Sequence, residues 1–475
     1  MRFLCSFLLC LPFLSMAQST WFTRLHDGHA AFADERVADR RFKHAELIPV
    51  LTALPAPFDV QQAGQSVEGR SIYRVSIGEG DTQVLLWSQM HGDEPTATAA
   101  ILDIFRFLRA ENDGFDELRQ ALLTNLTITF IPMLNPDGAE DYQRRNALGI
   151  DLNRDALRLS SPEAQLLKSI RDEISADWGF NLHDQSRFYG AGYPTDEVAT
   201  LSFLAPAYNF QKSVNPVRER AMQIIAQLNR DLQNHIPGKV ARYSDAFEPR
   251  AFGDNMQLWG TSTILIESGG YPDDREKQYI RQLNFATILS SMHAMATGSY
   301  RTVRRAEYNR IPYNKYGHFN DLILREVTYE YQGQSYLLDI AFDLGEVEYN
   351  DAKNFYFRGR IDDIGDLSYQ RAYEELPASE YTVAVAKVYP TVVEQLGDIP
   401  ALDAKEMLQA GVAVVRVKNP GTPANRASLP ILVIGEKEDY DQVIQPGANP
   451  PLIVRDKTGI VRWTVINGQL HEVPE

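Results

Sequence analysis

Between residues 71 and 297 the chain alternates, element by element, between short β-forming runs and longer stretches with apolar residues at helical spacing. That rhythm predicts an α/β layer structure: a mixed, mostly parallel sheet with helices on both faces. Residues 71–77 and 83–87 read as strands, 95–108 as a helix, and 126–133 as a strand that Asn135-Pro136-Asp137-Gly138 stops. Ser161-Pro162-Glu163 supplies a cap, a first-turn proline and an acidic residue for another helix. The run 180–182 is short and apolar, 217–232 is helical, 262–266 is a buried strand, and 273–295 is a closing helix with acidic residues at its start. In such folds ligands sit beyond the carboxyl ends of the strands.

After Gly298 the texture changes. Tyr and Phe become dense, and 327–331, 354–358, 381–385, 412–417, 431–434 and 461–465 carry β-formers, with one helix over 403–410. The reading is a linker over 298–318 and a β-rich region of one or two modules over 319–475. At the other end, Met1-Arg2, an apolar run over 3–14 and Ser15-Met16-Ala17 make a signal peptide cleaved after Ala17, so a secreted or periplasmic protein is expected. The run is too short for a membrane span. Both cysteines, Cys5 and Cys10, fall in this leader, which leaves the mature chain without disulfides. Residues 18–50 form a lead-in to a catalytic unit ending at 297. A net charge of −16 excludes nucleic acid as a partner, because phosphate binding needs clustered Lys and Arg.

The sharpest motif is His91-Gly92-Asp93-Glu94, directly after an apolar strand. His and Glu three apart in a turn can aim an imidazole nitrogen and a carboxylate oxygen at one Zn²⁺ ion. Alone, the pattern is more often an ordinary solvated turn. A third ligand is needed, and His183 is the best placed, since it too follows an apolar segment and opens a polar one. His26, His29 and His44 lie in a polar N-terminal stretch, His235 and His293 fit helix surfaces, and His318 and His471 fall outside the α/β unit. Arg144-Arg145-Asn146 and Asp151-Leu152-Asn153-Arg154 then present arginines on loops, where a guanidinium is a planar bidentate donor suited to a carboxylate.

Taken in order, these motifs resemble the zinc carboxypeptidases of the funnelin type, whose catalytic pattern runs His-x-x-Glu, Asn-Pro-Asp-Gly, Asp-x-Asn-Arg, His, Glu. The similarity starts at residues 64–72, passes through 91–94, 135–138, 149–154 and His183, ends at 264–270, and covers residues 40–297. It implies one zinc ion per chain held by His91, Glu94 and His183, with Asp151 receiving a ring N–H from the first histidine. It implies Glu267 as general base, Arg144 as the group that polarises the scissile carbonyl, and Asn153 with Arg154 as the grip on the substrate's terminal carboxylate.

Two departures from the family pattern stand out. The tyrosine expected about twenty residues before the catalytic glutamate is missing from 247–254, with Tyr243 the nearest candidate, and Arg250, Phe252 and Asp254 point to three different side-chain specificities. The C-terminal region is longer than the small module that follows some family members. The expected function is an exported metallocarboxypeptidase acting on peptides. An amidase or carboxypeptidase on peptidoglycan stem peptides or other acyl-amino acids, and a catalytically silent binding protein, are the alternatives.

Overall fold

The computed structural model describes residues 20–192, 196–317 and 319–474. The leader expected over 1–17 and His318 lie outside the described residues. The catalytic unit is built on one eight-stranded sheet: β1 (Asp59–Gln65), β2 (Ser71–Ile77), β3 (Thr82–Trp87), β4 (Leu126–Ile131), β5 (Trp178–Asp184), β7 (Leu201–Leu204), β8 (Val240–Arg242) and β9 (Ser262–Ser268), with a two-residue strand β6 (Tyr189–Gly190) outside it. The order across the sheet is β1-β2-β4-β3-β5-β9-β7-β8. Its centre, β4-β3-β5-β9, is parallel, and β2, β1 and β7 join antiparallel.

Side-chain alternation along the central strands divides the apolar residues between two layers. Val84, Leu86, Ile128, Phe130, Phe180, Leu182, Ile264 and Ile266 face one core, closed by α1 (Trp21–Gly28), α2 (His44–Thr52), α3 (Thr96–Arg109), α4 (Asp116–Asn125), α7 (Pro216–Leu232) and α9 (Gln278–Thr297). Leu85, Trp87 and Ile131 face the other, closed by α6 (Pro162–Ile174) and α8 (Phe252–Leu258). A short helix α5 (Pro136–Glu140) carries the Asn-Pro-Asp-Gly turn. At about 1.5–3 kcal/mol per fully buried large apolar side chain, these two layers supply the main drive for folding.

The helix expected over 273–295 begins at Gln278 instead. Asp273 and Lys277 take φ values of +58° and +53°, which holds 273–277 as a turn, and Lys277 Nζ is drawn inward to Asp184 (3.0 Å) and Ser268 O (2.9 Å). The acidic start survives in another form: the Asp274 carboxylate accepts from the Tyr279 and Ile280 N–H groups. The N-terminal stretch is also no loose lead-in. Phe22, Leu25, Phe32, Val37 and Phe42 are core residues, and buried Asp103 accepts from Asp34 N–H (2.8 Å), lies 2.8 Å from His29 Nε2, and pairs with Arg281.

The segment read as a linker is packed as well. Tyr300, Val303, Tyr308 and Ile311 enter the first core of the α/β unit, and β10 (Lys315–Tyr316) pairs antiparallel with β6. Beyond it lie a second eight-stranded sheet, containing β11 (Phe319–Tyr331), β12 (Gln334–Tyr349) and β13 (Asn354–Gly365), and a small parallel sheet around Val412–Asn419 with a helix at Ala404–Gln409. The β12–β13 hairpin reaches back to the N-terminal stretch: Arg40 and Arg41 pair with Glu346, Arg41 with Glu348, and Lys353 with Glu46. Among the described residues no helix is long and apolar enough to cross a membrane.

Candidate metal centre

Three loops at the carboxyl edge of the parallel strands bring the expected residues together. β3 ends at Trp87 and the chain turns through 88–94. Ser88 O and Gln89 O accept from Leu134 N–H and Asn135 N–H, locking this turn to the one after β4. Gly92 is required there, because a Cβ would lie 1.9 Å from the Gly138 carbonyl carbon. The two glycine-bearing motifs therefore form one packed unit. Asn135 caps α5 by accepting from Gly138 N–H (2.9 Å), and Asp137 is occupied by Ser66 Oγ, Glu68 N–H and Arg70. Asn146 likewise accepts from Leu148 and Ile150 N–H groups, so these residues shape loops rather than face a ligand.

β3 and β5 are parallel neighbours, as are β5 and β9, where His183 stands in register with Glu267. Ligand atoms of His91, Glu94 and His183 lie within 4.8 Å of one another, and all three residues are buried. His91 Nδ1 is 2.8 Å from Glu94 Oε1, and His183 Nδ1 is 2.7 Å from Glu94 Oε2. The far side of His91 faces Asp151, with Nε2 3.1 Å from Oδ1, so an Nε2–H donated there leaves the Nδ1 lone pair aimed into the site. Asp151 in turn receives Arg144 Nε at 3.0 Å and Asn153 N–H at 2.9 Å. Two imidazole nitrogens and a carboxylate, converging and shielded, are a donor set that fits Zn²⁺ with a coordination position left open.

Burial opposes a charge on His91, but Glu94 and Asp151 outweigh it and lift the imidazole to about 9, so a metal bound at Nδ1 would displace a proton from it. Burial would raise Glu94, yet His91 and His183 hold it below the usual carboxylate range. For His183 burial dominates and lowers the pKa, favouring the neutral ring that a metal needs. Glu267 is the opposite case: burial first, and the Glu94 charge second, push its carboxyl well above the ordinary range. The two carboxyl groups, Glu94 and Glu267, are thus split by environment, one held ionised and one poised to carry a proton.

A cavity of about 350 Å³ is lined by His91, Glu94, Arg144, Asn153, Arg154, His183 and Glu267. Every residue named from the sequence for the metal, the base and the substrate grip reaches it, and Asp151 reaches it through His91. Arg144 Nη1 lies 3.1 Å from His91 Nδ1. Asn153 Oδ1 accepts from Phe252 N–H (2.9 Å), which leaves its NH₂ as the donor end, and Arg154 is 38% exposed with Glu248 at 3.6 Å. The three specificity candidates separate: Phe252 is fully buried in the second core, Arg250 is exposed and paired to Glu248, and Asp254 lines the cavity with its carboxyl pushed up to about 7 by burial. Tyr243 also lines the cavity, and burial and the Glu267 carboxylate keep its phenol protonated. Sequence reasoning missed Tyr189 and Tyr316; Tyr316 comes from beyond the unit that holds every motif, and no local pattern marks it.

Comparison with known proteins agrees with this geometry. Residues 46–187 match the family model described as zinc carboxypeptidase. Carboxypeptidase SOL1 of Arabidopsis thaliana is 28% identical over 176 residues, covering 31% of this chain and 35% of the plant protein. Human carboxypeptidase D is 30% identical over 142 residues, 26% of this chain and 10% of the human protein. The chain thus spans about a third or less of the length of these relatives. A metallo-carboxypeptidase structure from Burkholderia cenocepacia overlaps 55% of this chain and 70% of its own at 18% identity, with a TM-score of 0.44. Residues 46–187, which carry the His91–Glu94 turn, the Asp151–Arg154 loop and His183, are thus the part of the chain that is similar to the zinc carboxypeptidase family.

Proposed function

We propose that the protein is an exported zinc-dependent exopeptidase that removes residues from the carboxyl ends of peptides. The observation that carries this reading is the meeting, around one cavity, of a buried His-Glu-His set, a carboxyl of raised pKa in register with the second histidine, and two arginines. His91, Glu94 and His183 are the residues that would hold zinc, which when bound supplies Lewis acidity to the scissile carbonyl and the attacking water. Glu267 takes the proton from that water on its carboxylate and passes it to the leaving amine. Its raised pKa suits the delivery of that proton to the amine.

Arg144 donates to the carbonyl oxygen as charge grows there. Asp151 holds the guanidinium through Nε, leaving Nη1 on the cavity side. Asn153 and Arg154 take the terminal carboxylate, the one group every peptide carries at that end. Export rests on the apolar leader read from the sequence. The test is incubation of the zinc-loaded protein with a mixed peptide library, reading product ends by mass spectrometry. Loss of single C-terminal residues is expected, and internal cleavage alone overturns the reading. His183→Ala should lose stoichiometric zinc; retention of one tightly held ion per chain would remove it from the ligand set.

A further inference from the structure

The cavity is not closed by the catalytic sheet alone. Tyr316, from β10 on the way to the β-rich region, is one of its lining residues. β10 pairs Tyr316 with Tyr189 and Lys315 with Gly190, on the loop that leaves His183. The two tyrosine rings meet edge to face, centroids 5.2 Å apart. Tyr189 in turn stands 6.1 Å from the Tyr243 ring and hydrogen-bonds it, and Tyr243 lies beside Glu267.

The approach to β10 is fixed residue by residue. Arg242 stacks on Tyr313, Asn314 N–H donates to Arg242 O (2.8 Å) and Asn314 Nδ2 to Gln185 Oε1 (2.9 Å), and Lys315 Nζ sits 4.2 Å from the Tyr369 ring centroid. Tyr316 is therefore held over the cleft from both sides of the boundary.

Exposure gives the cleft a direction. Ala251, Leu265 and Asp254 on its floor are 6–7% exposed, whereas Tyr316 is 65% exposed. A peptide whose terminal carboxylate is held within must run outward past the mouth. We propose that Tyr316, backed by Tyr189, is a specificity-determining residue that packs on the side chain preceding the scissile bond and favours aromatic over small residues there. This rests on the exopeptidase reading above. A tyrosine offers such a side chain a large, rigid face at low entropic cost, and a phenol edge that tolerates the wet rim.

The test uses the zinc-loaded full chain and two acyl dipeptides that share a C-terminal residue and differ by Phe or Gly before the scissile bond. Wild type should prefer the Phe substrate, and Tyr316→Ala should shrink that preference by about threefold to tenfold, chiefly through KM. Tyr316→Phe should keep it, with zinc content and thermal stability unchanged throughout. Should Tyr316→Ala fold poorly, Tyr316→Leu, which keeps bulk without a ring, makes the same comparison. Calorimetric binding of the two peptides to Glu267→Gln reads the contact without turnover. Equal Phe-to-Gly ratios in wild type and the ring-less variants overturn this inference alone. A wild type that neither cleaves nor binds either peptide overturns it together with the exopeptidase reading.

Discussion

Replacing Arg154 by Ala separates a carboxyl-end enzyme from any other amide hydrolase built on the same centre. The guanidinium lines the cavity, donates to Asn153 O at 2.6 Å, and faces Glu248 across 3.6 Å. A hydrogen bond between charged partners contributes about 1.5–3 kcal/mol. Arg154 remains 38% exposed and Glu248 competes for it, which places the value near the lower end. At about 1.4 kcal/mol per factor of ten, Arg154→Ala should lower kcat/KM by about 10- to 30-fold on peptides with a free carboxyl end. Amidating the substrate should cost wild type a similar factor and the variant little more, because both changes delete one interaction. Glu248→Gln should act in reverse, raising kcat/KM about twofold on free-carboxyl peptides and leaving amidated ones unchanged. Steady-state rates on one peptide in its acid and amide forms, for three proteins, complete the cycle. If amidation costs Arg154→Ala as much as it costs wild type, Arg154 does not hold the terminus, and the proposed direction of cleavage falls with it.

Glu267→Gln should keep zinc and bind product peptides while losing at least about a hundredfold in kcat, since the amide keeps the shape but takes no proton; unchanged kcat would exclude it as the base. Asp103→Ala should cost about 3–5 kcal/mol in urea unfolding, because it leaves the Arg281 charge buried and frees the 29–37 stretch, and Asp103→Leu with Arg281→Met should recover most of that. A loss under about 1 kcal/mol would show that this buried pair does not hold the N-terminal stretch. Burial, helped by Asp362, pushes Asp343 up to about 7. The folded chain then keeps a proton that the unfolded chain sheds near 4, so its contribution to stability falls as pH rises from about 4 to 7. Asp343→Asn should be neutral below pH 4 and stabilise by up to about 4 kcal/mol above pH 7, read as Tm against pH, and a pH-independent difference would contradict the shift.

What the sequence revealed follows from where the information lies. The central strands announce themselves because their apolar residues feed two cores at once, and His91, Glu94 and His183 because they sit at strand ends, where a parallel sheet gathers loops from distant parts of the chain. The roles of the neighbouring polar residues were less accessible. Asn146 and Asp137 stand among the motif residues, yet Asn146 is consumed by backbone N–H groups of its own loop and Asp137 by the distant 66–70 turn, through Ser66, Glu68 N–H and Arg70. The closing helix starts late because Lys277 is drawn to Asp184, a partner 93 residues away that no local pattern reveals. Tyr316 escaped for the same reason, since a composition change at 298 suggests a boundary that packing does not respect.

The latch between Arg40–Arg41 and the β12–β13 hairpin bears on the order in which the fold assembles. Arg41 stacks on Tyr142, two residues before Arg144, and also on Phe355, while Glu346 of the hairpin engages both Arg40 and Arg41. These partners are about 306 residues apart along the chain. Contacts of such long range form late, after the intervening segments have folded and their loop entropy has been spent. As the chain is made from its N-terminus, the sheet and its His91–Glu94–His183 cluster are complete long before the hairpin exists to steady the Arg144 loop. The His91–Glu94–His183 cluster and the steadied Arg144 loop thus arise as separate events, the cluster first and the loop's outer support last.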